Sequence, residues 1–261
     1  MTSAVIIQAR MGSTRLPGKV LEDLAGMPVL WHVIQRVRQA ALPDEILVAT
    51  TTNPEDGRIK AACQGWGIRV FRGDPEDVLR RFYDGLLVLE RDLGSIDYIV
   101  RVTADCPLID PTVIDEVIRT AAAGTCDYVS NTDPPTYPDG LDVEVISRPA
   151  LVEACQKASL PSEREHVTPY IRNNPSSGKC NLRNREDLSG LRWTLDTAED
   201  LRFIRRIYTA LYHPPGIFTT SEVLEYLKGQ PGIDRINAGI HRNEGYAKSL
   251  REDRLIQKVK K

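Results

Sequence analysis

AVIIQARMGSTRLPGK, residues 4–19, joins a short apolar run to a loop bearing three cations. Residues 4–8 read as a buried strand. Directly behind it, Arg10, Arg15 and Lys19 stand among Gly12, Pro17 and Gly18 in an exposed polar loop. Backbone N–H groups of a glycine-bearing loop after a strand form a nest for an anion. Arginines grip phosphate oxygens in forks, and a lysine adds a mobile point charge. Two common phosphate loops are excluded. Valine follows Lys19 and five residues separate Gly12 from Gly18, so the G-x-x-x-x-G-K-[ST] pattern fails, and G-x-G-x-x-G fails as well.

Downstream, strands and helices alternate. Residues 29–40 read as a helix, with Leu30, Val33, Ile34 and Val37 on one face. Residues 45–50 are a second strand. A helix over 54–64 has Asn53 as its cap and Pro54 at its first position. Residues 68–71 form a third strand, Asp74-Pro75-Glu76-Asp77 opens a long helix to 91, 97–102 form a fourth strand, and Asp110-Pro111 opens another helix. This order predicts an α/β fold, a Rossmann-like mostly parallel sheet with helices on both faces. Ligands of such sheets sit beyond the carboxyl ends of the strands. Three polar loops meet that edge: the opening loop, residues 72–77 and residues 103–107.

From residue 128 the pattern becomes irregular. DPPTYPDGLDVEVIS, residues 133–147, predicts an excursion over the active edge that ends in an alternating strand at 142–146. Helices are expected over 152–158 and 163–172, and a short returning strand over 191–195. Thr197 caps a helix over 198–211, a further helix starts at 219–222, and the charged tail 243–261 is expected at the surface. We expect a single unit over 1–261. It divides into a regular alternating half at about 1–127, an irregular half at about 128–240, and a charged helical tail at 241–261.

The 261 residues are 41% hydrophobic and 27% charged, with a net charge of −2. This suits a large core and gives no overall basic field for nucleic acid. No apolar run reaches the roughly 20 residues that cross a bilayer, and Met1-Thr2-Ser3 begins no signal peptide, so a cytoplasmic protein without a membrane or nucleic-acid partner is expected. Five widely spaced cysteines without C-x-x-C argue against a zinc site or a disulfide framework and for reduced thiols.

Asp105 and Asp196 end the apolar runs YIVRVTAD and LRWTLD. Carboxylates at strand ends face the ligand edge, where a magnesium-bound triphosphate needs hard oxygen ligands. The lesser alternative is that Asp105 caps the turn before Pro107 and Asp196 the helix that follows it. Asp142 and Glu144 alternate with Val143 and Val145, so both carboxylates project to one face.

These stretches resemble the sugar-activating cytidylyltransferases. The family includes the enzymes that make CMP-linked 3-deoxy-manno-octulosonate and CMP-linked acylneuraminate. The resemblance rests on A-R-x-G-S-x-R-L-P-x-K (9–19), GDPEDVLRRFY (73–83), VTADCPLID (102–110), YPDGLDVEVIS (137–147) and WTLDTAEDL (193–201). With NEGYAKSLREDR (243–254), the chain most resembles the spore-coat polysaccharide branch. The resemblance implies a nucleotide-diphospho-sugar transferase fold, a homodimer and CMP transfer from CTP to a sugar acid or other small anionic acceptor, with Mg2+ and release of pyrophosphate. It implies catalytic roles for Arg10, Arg15 and Lys19, and nucleotide contacts from Ala9, Arg10, Gly12, Ser13, Lys19, Arg72, Gly73 and Asp77. It further implies metal ligation by Asp105 and Asp196, and acceptor contacts from Asp142, Glu144, Arg164 and His166. The extended segment with which the octulosonate and neuraminate enzymes clamp their sugar is not found, so the acceptor stays open. Two other readings remain: a nucleotide-sugar-dependent glycosyltransferase, disfavoured by the lack of any D-x-D, and a non-catalytic nucleotide-binding subunit of a polysaccharide assembly.

Overall fold

A computed structural model describes residues 1–124, 126–240, 242 and 244–259, with side chains described as far as 253. The first half contains β1 (Ser3–Gln8), a two-strand ribbon of β2 (Asp23–Leu24) and β3 (Met27–Pro28), α1 (Val29–Val37), β4 (Glu45–Thr51), α2 (Gly57–Gly65), β5 (Arg69–Gly73), α3 (Val78–Leu93), β6 (Tyr98–Thr103) and α4 (Pro111–Ala122). The second half contains β7 (Tyr128–Ser130), β8 (Glu144–Ser147), α5 (Arg148–Lys157), α6 (Pro161–His166), α7 (Pro169–Asn173), β9 (Lys179–Asn181), α8 (Ala198–Leu211), α9 (Thr220–Lys228) and α10 (Glu244–Val259).

The main sheet has seven strands in the order β5-β4-β1-β6-β8-β7-β9. β5, β4, β1 and β6 run parallel, and β8 alone runs antiparallel to its two neighbours. β1 lies centrally and is covered on both faces, hence its unbroken apolar run. Val5 and Ile7 point into the core under α1, α4 and α8, while Ala4 and Ile6 point into the core under α3 and α5. Ile6 and Ile7 are fully buried, each contributing roughly 1.5–3 kcal/mol relative to an exposed side chain.

The mostly parallel sheet with helices on both faces is therefore the expected one, but several elements differ from expectation. The segment 54–64 begins as a 3-10 turn, Pro54–Asp56, and Asn53 makes no side-chain cap. The carboxylate that matters there is Asp56, which accepts from the Met11 N–H at 2.6 Å and from the Thr51 hydroxyl. Segment 163–172 splits into α6 and α7 at Val167, whose φ is +70°. Pro169 removes the N–H that a continuous helix would need and restricts the residue before it. Residues 191–195 form only an isolated bridge between Asp139 and Arg192, because their backbone bonds are divided between two segments, Asp139 on one side and Asp105 on the other. β7 and β9, three residues each, carry too little periodicity to announce themselves.

The reading of all cysteines as reduced is corrected: Cys126 and Cys180 form a disulfide between the approach to β7 and β9, while Cys63, Cys106 and Cys155 are free. The charged tail lies at the surface as expected, with most of its described residues exposed, but one face of it is packed. α10 packs on α6, burying Ser249 and Asp253, with Asp253 accepting from the Ser162 N–H at 3.1 Å. His241, Asn243, Lys260 and Lys261 of that tail lie outside the described residues. Among the described residues no helix is long and apolar enough to cross a membrane.

Candidate active site

At the carboxyl edge of β1 the chain turns immediately. Met11 O accepts from the N–H groups of Ser13 (2.8 Å) and Gly18 (2.9 Å), which folds the opening loop back on itself. Gly18 takes a φ of +75°, open to glycine at little cost, and Lys19 follows in a short 3-10 turn. This return buries Lys19, which is only 8% exposed.

The Lys19 ammonium lies between two carboxylates, 2.5 Å from Asp105 Oδ2 and 2.8 Å from Asp196 Oδ1. Asp105 follows β6 and Asp196 precedes α8. The Leu195 N–H donates to the Asp105 carbonyl at 2.8 Å, so the backbone holds the two segments together. Residues 91 positions apart in sequence thus share one cation, and their oxygens lie well inside the roughly 8 Å that a common metal cluster spans with ligands near 2.1 Å. Burial opposes the lysine's charge, but the two carboxylates outweigh it and raise its pKa. Burial likewise favours protonated Asp105, and Lys19 reverses that, holding the carboxyl down at about 2.

A depressed carboxyl stabilises the fold above its unfolded pKa of about 3.9 and loses that contribution as pH falls toward its folded value. Urea unfolding between pH 5 and pH 2 is expected to show a loss of stability that Asp105→Asn removes from the wild-type profile. Parallel acid profiles for the two proteins would show that Lys19 does not hold this carboxylate.

Asp196 is held further by Arg15 at 3.0 Å and by Arg192 at 3.0 Å, while Arg15 also reaches Glu244 at 2.9 Å. Arg192 is nearly buried and forks between Asp139 (2.9 Å), Asp196 and the fully buried Asp200 (2.9 Å). Asp200 in turn accepts from the N–H groups of Asp196 and Thr197 and from Asn237. Gly140 keeps this network in place: at φ +108° its α-carbon passes so close to Trp193 and Thr194 that a Cβ would lie 2.6 Å from their backbone.

Two neighbouring cavities open along this edge. The larger, about 870 Å³, is lined by Ala9, Arg10, Ser13, Arg15, Lys19, Asp77, Arg81, Asp105, Arg164, His166, Asp196 and parts of α10. The smaller, about 270 Å³, shares Arg15, Asp105, His166 and Asp196 and adds Asp139, Asp142, Glu144, Arg101, Arg172 and Arg192. Twelve of the residues expected from sequence, Lys19 among them, therefore line these cavities, and three do not. Gly12 and Gly73 are outside both linings, and Arg72 spends its guanidinium on the carbonyls of Thr51 (2.7 Å) and Asn53 (2.6 Å).

Asp77 accepts from the Arg80 N–H as the cap of α3 and pairs with Arg164, which places Arg164 beside the larger cavity. Asp142 faces the smaller cavity and bonds Arg242 at 2.5 Å; burial raises its pKa to about 7 despite that arginine. Glu144 is consumed by Arg101, the Tyr128 hydroxyl and the Thr168 hydroxyl. His166 contacts Ser249 Oγ at 3.0 Å, and burial lowers its pKa to about 4, so it is neutral near pH 7. Sequence reasoning missed Arg81, buried beside Arg10 with a pKa lowered to about 10 chiefly by burial, and it missed Arg101, Arg172, Arg192 and the α10 residues. The signal available for Arg192 was its place in WTLDTAEDL's approach strand; α10 offered only charge.

No group of three or more His, Cys, Asp and Glu among the described residues is disposed to hold a metal ion unaided. Asp105 and Asp196 supply two hard carboxylates, which matches magnesium's habit of taking one or two from protein and the rest from substrate phosphates and water.

Similarity to known proteins follows this geometry. The family described as Cytidylyltransferase matches residues 4–213. The spore coat polysaccharide biosynthesis protein SpsF of Bacillus subtilis is 35% identical over 234 residues, covering 87% of this chain and 94% of its own. A cytidylyltransferase structure from Leptospira borgpetersenii serovar Hardjo-bovis is similar at a TM-score of 0.82 and 30% identity, over 89% of this chain and 96% of that one. CMP:2-keto-3-deoxy-manno-octonic acid synthetase, in a complex with CTP, shares the fold at a TM-score of 0.62 and 20% identity, over 81% of this chain and 100% of that one.

Proposed function

Because this chain belongs to the cytidylyltransferase family, we propose that it transfers CMP from CTP to a small acidic acceptor, a sugar acid, with Mg2+ and release of pyrophosphate. The observation that carries the reading is the Lys19 ammonium set between Asp105 and Asp196 at the junction of the two cavities. The larger cavity takes CTP and the smaller takes the acceptor, so that the acceptor oxygen and the α-phosphorus meet where the cavities share residues. We place the reaction in the cytoplasm, with a homodimer as the working unit, in the synthesis of a surface polysaccharide.

Arg10, Arg15 and Lys19 bind the triphosphate, with Arg81 beside them. An acceptor hydroxyl oxygen forms the new bond to the α-phosphorus as the α–β anhydride bond breaks in line, the hydroxyl proton passes to water, and the developing charge on the pyrophosphate is met by these cations. Asp105 and Asp196 would hold the magnesium, which would supply neutralisation of phosphate charge. In the free protein both Asp196 oxygens and one Asp105 oxygen are already bonded to cationic side chains. Lys19 and Arg15 therefore exchange their carboxylate partners for phosphate oxygens on substrate binding, and the charge of the magnesium–triphosphate complex is met by Arg10 and Arg81 as well.

The test measures pyrophosphate release from CTP with a panel of sugar acids at varied Mg2+, for wild type, Asp105→Asn and Asp196→Asn. Each variant is expected to lose at least a hundredfold in turnover and to need more Mg2+ for half-saturation. CTP is also expected to raise the melting temperature more than ATP or GTP at equal concentration. Unchanged Mg2+ dependence in both variants would refute the shared metal site, and equal shifts with purine nucleotides would refute the cytidine preference.

A further inference from the structure

We propose that Arg172 of α7 grips the carboxylate of the acceptor, and that Tyr246 of α10 is the positioning residue that holds its guanidinium flat. This deepens the function proposed above and rests on it.

Four arginines line the smaller cavity: Arg15, Arg101, Arg172 and Arg192. Three are matched. Arg15 pairs with Asp196 and Glu244, Arg101 with Glu144, and Arg192 with three aspartates. Arg172 forms no ion pair among the described residues, and its Nε is buried without a hydrogen-bond partner. Its guanidinium lies over the Tyr246 ring, 5.2 Å from the centroid. A guanidinium stays charged in any protein environment, and a buried donor left unmade is costly. The cost is recovered when a planar anion accepts from the fork through two parallel bonds, which is what a carboxylate offers.

The protein's own candidate for that role is already engaged. Glu144 supports the charge of Arg172 from beyond hydrogen-bonding range, but its oxygens are taken by Arg101, Tyr128 and Thr168. Arg172 lines the smaller cavity and not the larger one, so it faces the acceptor and not the triphosphate. Stacking on an aromatic ring fixes the guanidinium plane without using any N–H group. Tyr246 also meets His166 edge-on at 5.0 Å, which anchors the ring between the two helices. Tyr246 belongs to α10, beyond the stretch 4–213 that matches the family.

The experiment uses the full chain, CTP and two 2-oxo sugar acids, 3-deoxy-manno-octulosonate and N-acetylneuraminate, each beside its methyl ester. Pyrophosphate release gives kcat and KM for both substrates, and melting shifts in the presence of CTP report binding independently. With Arg172→Ala the acceptor KM is expected to rise roughly 10- to 100-fold while the CTP KM stays within about twofold. Arg172→Lys should recover part of the loss, Tyr246→Phe nearly all, and Tyr246→Ala should raise the acceptor KM alone. Wild type should favour each acid over its ester, and Arg172→Ala should lose that preference. An acid-over-ester preference that survives in Arg172→Ala overturns the proposal, as does an equal rise in both KM values. A wild type that binds CTP but neither turns over nor is stabilised by any acid also overturns it. Failure to bind CTP at all sinks the cytidylyltransferase reading instead.

Discussion

Lys19→Ala is expected to cut pyrophosphate release about a thousandfold and, in the same protein, to lower stability by about 3 kcal/mol. The rate loss follows from charge. In phosphoryl transfer the protein works by positioning and neutralisation, and removing one preorganised donor to a developing oxyanion costs about 10²–10³-fold. The stability loss follows from burial. Lys19 is the ion-pair partner of Asp105 among the described residues, and breaking one side of a buried pair costs roughly 3–5 kcal/mol because the other charge is stranded. Asp196 suffers less, since Arg15 and Arg192 remain beside it. The two losses separate in the double variant Lys19→Ala/Asp105→Asn. Its unfolding midpoint in urea should recover most of the deficit, because no lone carboxylate is left, while its turnover should stay as low as that of the single variant. A Lys19→Ala enzyme that turns over at the wild-type rate would place the triphosphate elsewhere, and one with unchanged stability would mean the ion pair is solvated.

Sequence alone treats Lys19 as an exposed loop cation, and the difference shows where local reading ends. The strand 4–8 and the helix starts at Asp110, Thr197 and 219–222 depend on neighbours within a few residues, and the structure places them as expected. The burial of Lys19 depends on Asp105 and Asp196, which arrive from distant segments once the parallel strands align their carboxyl ends. Arg172 and Tyr246 lie 74 positions apart, and no periodicity in either segment announces their stacking. β7 and β9 are short enough that tertiary pairing, not pattern, makes them strands. Arg72 shows the same limit from the other side: the motif around it is local, but its guanidinium is bonded to the carbonyls of Thr51 and Asn53, partners that only the packing of β5 on β4 brings within reach.

Arg192 carries the largest structural charge cluster, and its removal should be the most destabilising single change at the site. The side chain is 6% exposed and the Asp200 side chain fully buried, so neither is relieved by water when its partner goes. Arg192→Ala leaves Asp139, Asp196 and Asp200 facing one another, with Asn237, Arg15, Lys19 and Arg242 as the remaining donors. A loss of roughly 3–5 kcal/mol is expected, or about 10 °C in melting temperature for a chain of this size. The sign of its pH dependence is a sharper check. In wild type the arginine and other partners hold the Asp200 carboxyl below its usual range against the effect of burial, so its contribution is present above an unfolded pKa of about 3.9 and disappears in acid. In the variant these carboxylates are stranded at neutral pH and relieved by protonation. The stability gap between wild type and Arg192→Ala should therefore be widest at pH 7 and above, and narrow as pH falls through about 5 to 4. Arg192→Lys should close little of the gap, because a point charge on a flexible stem cannot meet three carboxylates with fixed forks. A gap that stays constant from pH 8 to pH 4 would assign the loss to packing rather than to charge. A Lys variant as stable as wild type would show that the fork geometry is dispensable.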